Sequence, residues 1–534
     1  MALPWSTRGQ GGARSTHSEV WPLAGDDTRA DNTSRQRVAP FGSNHPAPLS
    51  GVSHQQWVLS QMHEPLHRTF ATFDGRLLIV GFGCIGQGVL PLLLRHIGIA
   101  PRQIHIVSAS RDGADIAAEY GVGFTQREVT RENWREILAG RLGTGDFLLN
   151  LSVNVGSVDL ISWCQGQGVL YLDACIEPWA GGYYDASVSP GMRSNYALRE
   201  AARALRGRSD TTAVLTHGVN PGLVSHFVKQ ALLNLAADLL PGTAAPSDRQ
   251  GWAGLAQRLE VCAIHVAERD TQVARRPKER GEFVNTWSVE GFIGEGCQPA
   301  ELGWGSHERH WPAGGHRHEF GCDSAIWLER PGAGTRVRSW TPLEGPYLGF
   351  LVTHGESISI ADYLTVREGG RLAYRPTVHY AYHPCNDAVL SLHELAGKSW
   401  RMQPRWRLLN GEDIASGMDE LGVLLMGHAR GAYWYGSRLT NDLAVTLAPH
   451  NNATSLQTAA GVLAGVVWAM NNPTAGILDP DEMGFEETME VALPYLGDMV
   501  GVYSDWTPLQ NRGILFSEAL DAEDPWQFMN ILVP

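Results

Sequence analysis

The sequence lacks the features that mark membrane proteins and nucleic-acid-binding proteins. It contains no run of roughly 20 consecutive apolar residues, the length that spans a bilayer, and its amino-terminal segment lacks the apolar core of a secretory signal. Positive charge is not in excess, because the chain has 42 Lys and Arg but 56 Asp and Glu, which gives a formal net charge of −14. Nucleic acids and anionic membranes are bound through excess Lys and Arg. We therefore expect a cytoplasmic protein that binds neither, and whose acidic balance is compatible with a cationic ligand.

The sequence also lacks the common metal-binding and hydrolytic motifs. Its seven cysteines are widely scattered and never form a CxxC pair, so we expect reduced thiols that mostly fill the core. Four histidines crowd into residues 307–318, but neither an HExxH helix nor a cysteine pair accompanies them. A GxSxG elbow and a P-loop are both missing. We expect no metal site. The sequence also lacks the residues that a hydrolase or a nucleoside triphosphatase would need.

The chain is long enough for more than one hydrophobic core. Its 534 residues exceed the roughly 250 to 300 at which single cores stop growing. Residues 1–65 are rich in Gly, Ser, Pro and charged residues without periodicity, so we predict a mobile extension there. We predict one domain at residues 66–217 and a second, of mixed α+β structure, at residues 218–534. The carboxyl-terminal end of the second domain is a candidate to pack back on the first.

The first domain alternates between short apolar runs and helical patterns. The apolar runs, which read as strands, lie at residues 77–80, 103–107, 147–151, 169–173 and 212–215. Candidate helices lie at residues 85–96, 111–120, 131–139, 156–167 and 193–207. Such alternation predicts a Rossmann-type, doubly wound α/β fold with a parallel sheet.

A glycine motif lies at the first junction between a strand and a helix. The segment LLIVGFGCIGQG places Gly81, Gly83 and Gly86 in the GxGxxG spacing. Gly81 permits a tight turn, Gly83 lets the backbone approach a pyrophosphate, and Gly86 lets the helix pack closely on the strand. The amino terminus of the helix favours the negative charge of the pyrophosphate. The motif therefore predicts a site for a nicotinamide dinucleotide.

The position that selects between NAD and NADP departs from the usual pattern. An acidic residue about 20 positions after the glycines normally holds the ribose 2′-hydroxyl of NAD. This sequence has Val-Ser-Ala-Ser-Arg at residues 107–111 instead. Ser108, Ser110 and Arg111 could accept a 2′-phosphate, or Arg111 could simply begin the next helix in solvent. We expect NAD and keep NADP as an alternative.

Many long motifs along the chain are similar to those of one enzyme family. From about residue 66 onward, bacterial homospermidine synthases of the saccharopine dehydrogenase-like superfamily resemble this chain in YLDACIEPW, GVNPGLVSHFVKQALLNLAADL, IHVAERDTQ, NTWSVEGF, FLVTHGESISIADYLTVR and YRPTVHYAYHPCNDAVLSLHE. The resemblance implies a homodimer that acts on putrescine, and it makes residues 218–534 a saccharopine dehydrogenase C-terminal-like domain for substrate binding and dimerisation. It also implies a redox-neutral cycle. NAD⁺ takes hydride from one putrescine, ammonia leaves, a second amine condenses into an imine, and the same NADH reduces this imine to homospermidine.

The resemblance and the glycine motif together give two sets of site residues. The set implied for catalysis is Asn154, Glu177, Asn220, Glu268, Trp287, Glu295, His354 and Asp419. The set implied for cofactor binding is Gly81, Gly83, Cys84, Ile85, Gly86, Ser108, Arg111, Asn150, Ser152, Asp173 and Asn220. A diamine is a dication at neutral pH, so carboxylates must pair with its ammonium groups, and a base must free one amine for attack.

Each implied role has an ordinary structural alternative. Most glutamates are solvated surface charges, and Asn220 precedes Pro221 as a turn residue often does. The indole of Trp287 is implied to hold a cationic intermediate, a contact worth roughly 0.5 to 2 kcal/mol, but tryptophans more often fill cores. His354 is implied to transfer protons, but it could equally be a structural histidine.

One implied position differs from the family. Where relatives carry Asp in the motif NLSVD, this chain has Asn154. The amide keeps the shape of the side chain and removes one negative charge. If that charge helps to hold a diamine, this protein prefers a different amine or turns over more slowly.

Two other functions remain open from the sequence. One is a dehydrogenase of the saccharopine or carboxynorspermidine type, whose substrates carry α-carboxylates that need an arginine clamp; Arg193, Arg269 and Arg338 are the candidates. The other is a noncatalytic homologue that only binds a dinucleotide.

Overall fold

A computed structural model describes residues 68–534. The predicted mobile extension at residues 1–65 lies outside the described residues. In the part from residue 68 to residue 217, the strands are β1 Ala71–Thr72, β2 Leu77–Val80, β3 Ile97–Gly98, β4 Ile104–Ser108, β5 Gly123–Gln126, β6 Phe147–Asn150, β7 Leu170–Asp173 and β8 Ala213–Val214. The α-helices of this part are α1 Cys84–His96, α2 Ala114–Glu119, α3 Trp134–Ala139, α4 Ser157–Gln167 and α5 Asn195–Arg203.

These elements form a parallel sheet with helices on both faces. The strand order is β8-β7-β6-β2-β4-β5, and every neighbouring pair is parallel. Strands β2, β6 and β7 are buried along their whole length, which is why they read in the sequence as continuous apolar runs. The predicted Rossmann-type fold is confirmed.

The remaining elements build a larger mixed sheet and its helices. After residue 217, the strands are β9 Ala263–Asp270, β10 Val273–Ala274, β11 Glu282–Asn285, β12 Pro299–Gly303, β13 Gly315–Arg317, β14 Ala325–Pro331, β15 Arg336–Thr341, β16 Gly345–Phe350, β17 Val366–Glu368, β18 Arg371–Tyr374, β19 Thr377–His383, β20 Arg405–Leu408, β21 Ile414–Ser416, β22 Met418–Met426, β23 Ala432–Thr440, β24 Ile477–Leu478, β25 Asp498–Ser504 and β26 Leu532–Val533. The α-helices are α6 Leu223–Leu239, α7 Arg249–Arg258, α8 Val289–Cys297, α9 Gly355–Tyr363, α10 Asn386–Gly397, α11 Asn441–Leu447, α12 Ala453–Asn471, α13 Phe485–Ala492 and α14 Phe528–Ile531.

The large sheet has the order β13-β14-β12-β19-β9-β22-β23-β25, with the β15–β16 hairpin and β26 attached beside it. Strand β9 lies at its centre and pairs in parallel with β19 and antiparallel with β22. All eight residues of β9 are buried, including the charged ones. The predicted mixed α+β character of the second half is confirmed, and β9 carries buried charged groups into the core.

The chain returns to the first sheet near its carboxyl-terminal end. Helix α12 packs against α1 and β7, and β24 pairs in parallel with β8 at the edge of the parallel sheet. By length and composition α12 could cross a membrane, but 89% of its apolar stretch is buried inside the protein, as is usual for a core helix. Elements from beyond residue 450 therefore complete the core of the first half.

Candidate functional site

A cleft of about 1240 Å³ opens at the carboxyl ends of β2, β4 and β6. In open α/β sheets this edge is where ligands bind. One wall comes from the parallel sheet and carries seven of the predicted residues, Gly81, Gly83, Cys84, Ile85, Ser108, Ser152 and Asn154. The opposite wall comes from the second half of the chain and includes Ser288, Val289, Glu290, Met402 and Trp406. The cleft thus lies between the two halves of the protein.

The glycine turn has the geometry that a dinucleotide needs. Gly81 has a φ of +86°, and a Cβ there would lie 2.6 Å from the backbone nitrogen of Ser152. A Cβ on Gly83 would meet nothing within 4 Å, so this backbone faces open space at the start of α1. A Cβ on Gly86 would press on the Phe82 ring at 3.0 Å. The turn therefore leaves room for a pyrophosphate at the amino terminus of a 13-residue helix.

The ribose end of the cleft is formed by the loops that follow β4 and β5. Ser108, Ser110 and Asp112 line it, whereas Arg111 is exposed in the turn before α2. Arg131, from the loop after β5, lines the same cleft and was not identified from the sequence. Arg131 therefore lies on the wall of the cleft, whereas Arg111 does not.

Two of the predicted cofactor residues lie behind the cleft wall. The Asn150 side-chain oxygen accepts a 2.6 Å hydrogen bond from the Ser152 hydroxyl. Asp173 is fully buried and accepts hydrogen bonds from the Thr216 backbone nitrogen and the Tyr171 hydroxyl, at 2.7 and 2.8 Å. Burial raises the pKa of Asp173 to about 6. Both side chains hold the loops around the cleft in place and do not line it.

Three glutamates and a histidine form a buried network next to this wall. Glu177 is 3% exposed, and its carboxylate accepts a 3.3 Å hydrogen bond from the backbone nitrogen of Asn154, a cleft residue. His354 contacts Glu295 through Nε2 at 3.0 Å and Glu356 through Nδ1 at 3.2 Å. The charge of Glu295 also acts on Glu177. Buried acidic groups therefore lie behind the cleft wall.

Glu268 joins this network from the central strand of the large sheet. Its carboxylate accepts hydrogen bonds from Asn220, at 3.1 Å, and from the Tyr380 hydroxyl. The ring of Tyr380 lies 4.4 Å from the ring of His354, between centroids. Asn220 lies just before α6, near the start of the second half of the chain. Its hydrogen bond to Glu268 therefore joins this segment to β9.

Trp287 lies between the cleft and Glu268. It directly precedes the cleft residue Ser288, and its indole nitrogen donates a 3.0 Å hydrogen bond to the Tyr382 hydroxyl. Tyr382 stacks on Tyr380, the donor to Glu268, with ring centroids 5.1 Å apart. The indole is only partly buried. These contacts fix its orientation while leaving part of the ring accessible.

The burial of these groups changes their protonation. Burial raises the pKa of Glu177 to about 8 and that of Glu268 to about 8. Burial opposes a charge on His354, but Glu356 and Glu295 outweigh it and raise its pKa to about 10. At neutral pH His354 is therefore charged, whereas Glu177 and Glu268 hold their protons.

Comparison with known proteins identifies the family. Residues 77–214 match the saccharopine dehydrogenase NADP binding domain, and residues 218–503 match the saccharopine dehydrogenase C-terminal domain. A homospermidine synthase from Blastochloris viridis is 53% identical over 466 residues, which cover 86% of this chain and 98% of that protein. The chain belongs to the homospermidine synthase family. A homospermidine synthase from Mesorhizobium japonicum is 49% identical over 486 residues, covering 89% of this chain and all of that protein.

A solved structure extends this family match to three dimensions. The crystal structure of the Legionella pneumophila homospermidine synthase in complex with NAD aligns with a TM-score of 0.81 at 48% identity. The alignment covers 87% of this chain and 98% of that one. The family resemblance read from the sequence motifs is confirmed.

Asn154 has a left-handed backbone conformation with a φ of 63°. Asparagine adopts this conformation more readily than most residues. Its side-chain amide donates a 3.1 Å hydrogen bond to Glu290 on the opposite wall of the cleft. An aspartate could not make this bond, because it would face Glu290 with a second negative charge.

The structure places Asp419 beside a carboxylate that sequence reasoning missed. Asp419 pairs with Asp270 across β22 and β9, and Asp270 shares a sheet face with Glu268. The Asp419 carboxylate accepts a 2.6 Å hydrogen bond from the Thr454 hydroxyl. Burial raises the pKa of Asp419 well above its usual value, and the charges of Glu268 and Asp270 add to this effect. The acidic cluster thus extends beyond Glu268 along β9.

Other site residues missed from the sequence are Glu356, Tyr380 and Tyr382. Both tyrosines lie two residues apart on β19, as Glu268 and Asp270 do on β9. That alternation was visible in the motifs HYAYH and AERD. The parallel pairing that sets Tyr382 opposite Glu268 was not visible, because more than a hundred residues separate the two strands.

The arginines considered for a carboxylate clamp are engaged elsewhere. Arg269 pairs with Glu344 at 2.9 Å, and Arg338 lies 3.7 Å from Glu518. Arg193 donates to the Tyr183 carbonyl at 3.4 Å. Within residues 68–534, no group of three or more His, Cys, Asp or Glu side chains is arranged to hold a metal ion.

Proposed function

We propose that this chain is a homospermidine synthase, which converts two putrescine molecules into homospermidine and ammonia with NAD as a retained redox partner. The observation that carries this proposal is a buried acidic cluster: Glu177 contacts the cleft residue Asn154, and Glu295 contacts His354. The Tyr380 ring lies beside His354, and its hydroxyl donates to Glu268. The cluster lies next to a cleft whose glycine turn fits a dinucleotide. The identity of about 50% to two homospermidine synthases supports the same function.

The glycine turn and the residues around it would hold the cofactor. A nicotinamide dinucleotide bound there supplies a hydride acceptor and, later in the same cycle, a hydride donor. NAD is the proposed cofactor because a relative with a TM-score of 0.81 was crystallised with it. NADP stays an alternative, since Arg131 and the serines after β4 line the ribose end.

The acidic groups are suited to bind and deprotonate an amine. An ammonium group that enters the pocket pairs with Glu177 or Glu268 and so replaces a proton there. A carboxyl group with a pKa of about 8 is a suitable base to free one amine for attack. The nearby Trp287 face stabilises the positive charge as it moves from ammonium to iminium.

The reaction balances without an external reductant. Removal of hydride from the first putrescine gives an iminium, the second putrescine adds through a neutral amine, and ammonia leaves. The hydride then returns to the new carbon–nitrogen double bond and gives the secondary amine. Burial of Glu177, Glu268 and His354 keeps water from competing for the iminium.

We also propose that the protein works as a homodimer in the cytoplasm. The similarity to homospermidine synthases supports the proposed homodimer. The cytoplasmic location is supported by the scattered cysteines, none of which forms a disulfide among the described residues.

One experiment tests the proposed function against its two alternatives. Purified protein is incubated with putrescine and substoichiometric NAD⁺, while polyamines, ammonia and the absorbance of reduced nicotinamide are followed. We expect many turnovers of homospermidine per NAD⁺ without lasting reduction of the cofactor. Reduced cofactor that accumulates in proportion to product would instead identify a dehydrogenase. Tight NAD⁺ binding without product would identify a noncatalytic homologue.

A further inference from the structure

A groove beside the β15–β16 hairpin collects positive charge on a protein whose formal net charge is −14. We call this cavity of about 490 Å³ the arginine groove; its charged and hydrogen-bonding lining residues include Arg336, Arg338, Glu344, His383 and Gln510. None of these residues lines the dinucleotide cleft or belongs to the acidic cluster. The groove is therefore a separate cavity.

The positive charge of Arg338 is not neutralised by the carboxylate beside it. Glu518 lies 3.7 Å from Arg338, beyond hydrogen-bonding distance, whereas Arg512 donates a 2.8 Å hydrogen bond to Glu518. Burial and the charge of Arg512 lower the pKa of Arg338. Charges that are withdrawn from water are normally paired, so a partly buried arginine without a counter-ion of its own favours an added anion.

Arg336 lacks an acidic partner altogether. Its guanidinium lies over the ring of Phe350, 3.8 Å from the centroid, and donates a 2.9 Å hydrogen bond to Nε2 of His393. Burial lowers the pKa of Arg336, and within residues 68–534 no carboxylate lies within 4 Å of its guanidinium. The two contacts therefore fix this group in place without neutralising it.

The single acidic side chain in the lining is already paired. Glu344 accepts a 2.9 Å hydrogen bond from Arg269 of β9. The charges of these two groups cancel, so Arg336 and Arg338 give the groove an excess of positive charge.

The two arginines are arranged to act on one ligand. They are two residues apart on β15, so their side chains leave the same side of the strand, with Cα atoms about 7 Å apart. A guanidinium offers parallel N–H donors that match the oxygens of a phosphate group. Because the Phe350 and His393 contacts already hold Arg336, little conformational entropy is lost when a ligand binds.

The groove lies on the opposite face of the large sheet from the acidic cluster. Successive side chains along a strand point to opposite faces. On β9, Arg269 contacts the groove residue Glu344, and its neighbour Glu268 belongs to the acidic cluster. On β19, His383 lines the groove, and its neighbour Tyr382 contacts Trp287 on the other face. An anion in the groove is therefore separated from the amine pocket by these two strands.

We propose that the arginine groove binds the phosphate group of a small soluble molecule, with Arg336 and Arg338 both donating to its oxygens. The cavity has the size of a small-molecule pocket and is too small for a folded partner. The bound anion would supply the negative charge that neither Glu344 nor Glu518 provides.

Titration calorimetry with inorganic pyrophosphate tests this proposal. The full chain is first saturated with NAD⁺, because the glycine turn also leaves room for a pyrophosphate. We expect wild type to bind pyrophosphate, and Arg336→Gln and Arg338→Gln each to weaken this binding about 10-fold or more, since each removes charge-assisted hydrogen bonds. Arg317→Gln is the matched control and should bind as wild type does, because Arg317 is 58% exposed and lies over the Trp311 ring, outside the groove.

Thermal unfolding shows whether the variants are folded. Removing an unbalanced positive charge should not destabilise the protein, so both groove variants should unfold at the wild-type temperature or above it. A wild-type protein without saturable pyrophosphate binding, or an equal loss in Arg317→Gln, would overturn the proposal. Binding of wild type to phosphatidylglycerol vesicles that both groove variants lose would assign the groove to a lipid headgroup and contradict a soluble ligand. Because these measurements use no putrescine, their outcome is independent of whether the protein makes homospermidine.

Discussion

The side chain of His354 illustrates how this protein tolerates several ionisable groups in its interior. His354 is 5% exposed and lies between Glu295 and Glu356, whose charges stabilise its own. Glu177 and Glu268, in the same region, have no cation at hydrogen-bonding distance and instead have a pKa of about 8. An ammonium group of the substrate would therefore take the place of protons that these two carboxyl groups hold at neutral pH.

This exchange predicts a pH dependence. We expect kcat/KM for putrescine to rise as the pH increases through about 8, because Glu177 and Glu268 must ionise to hold an ammonium group. Without diamine, the same groups destabilise the fold as the pH rises from about 4.5 to about 8, since their folded pKa lies above the unfolded value. Thermal stabilisation by putrescine should therefore increase over this interval.

The pH profiles of two variants test the assignment. Glu177→Gln removes one ionising group and should flatten the rise, whereas Glu412→Gln, on the surface, should leave the profile unchanged. A wild-type profile that is flat from about pH 7 to about pH 9 would contradict the predicted role of these carboxyl groups.

The side chain of Trp287 leads to a second prediction. We expect Trp287→Ala to lower kcat/KM about 2- to 30-fold, because a cation over an indole gains roughly 0.5 to 2 kcal/mol. The affinity for NAD⁺, measured by calorimetry, should remain nearly unchanged, since the cleft lining begins only at Ser288. Trp311→Ala is a matched control, because Trp311 is 46% exposed and packs against Trp304, outside the acidic network. Equal rates for the two variants would remove Trp287 from the mechanism.

Only some of the site residues could be predicted from the sequence. The glycine turn could be predicted because each of its glycines has a distinct steric role, and the GxGxxG spacing identifies these roles. Asp173 was predicted to bind the cofactor. In the structure its carboxylate accepts hydrogen bonds from Thr216 and Tyr171. Arg131 and Asp270 were missed, because their positions depend on which strands are neighbours. Local patterns therefore predict turns well and predict tertiary proximity poorly.

Among the secondary-structure elements, the buried parallel strands were the easiest to predict. Apart from the terminal Asn150 and Asp173, β2, β6 and β7 are buried apolar runs, so a short sequence window is enough to recognise each of them. Strand β9 was harder, because its sequence AIHVAERD mixes charge with apolar residues although every position is buried. Its neighbours β19 and β22 come from distant parts of the chain. Their order in the sheet could not be derived from periodicity.

The close packing of helix α12 at Gly461 leads to a prediction about stability. A Cβ on Gly461 would lie 2.0 Å from the Gly218 carbonyl oxygen, in the loop that carries Asn220. We expect Gly461→Ala to destabilise the protein by about 1 to 3 kcal/mol through overpacking, despite the higher helix propensity of alanine. It should also lower kcat, because the loop must shift. Thermal unfolding and steady-state kinetics measure the two effects.

Gly254→Ala is the matched control for this substitution. Gly254 lies within α7, where a Cβ would meet nothing within 4 Å, so alanine should stabilise the protein by up to about 1 kcal/mol. A Gly461→Ala variant that is as stable as wild type would show that α12 and the Gly218 loop are not in tight contact.

At the scale of the whole molecule, the dinucleotide cleft has walls from both halves of the chain. We therefore expect NAD⁺ to stabilise the entire protein, by about 2.7 kcal/mol at 100 times its dissociation constant. Hydrogen exchange should slow in α8 and in the β20 region as well as around the glycine turn. Protection confined to residues 77–150 would contradict a cofactor site shared between the two halves.

The return of β24 and α12 to the first half has a consequence for how the protein is made. A nascent chain leaves the ribosome from its amino terminus, and most domains fold as soon as they emerge. Here the sheet edge beside β8 and the apolar surface of α1 stay uncovered until residues 453–478 have been synthesised. The dinucleotide-binding half must therefore wait for almost the whole polypeptide, and a fragment cut after residue 217 should aggregate during translation.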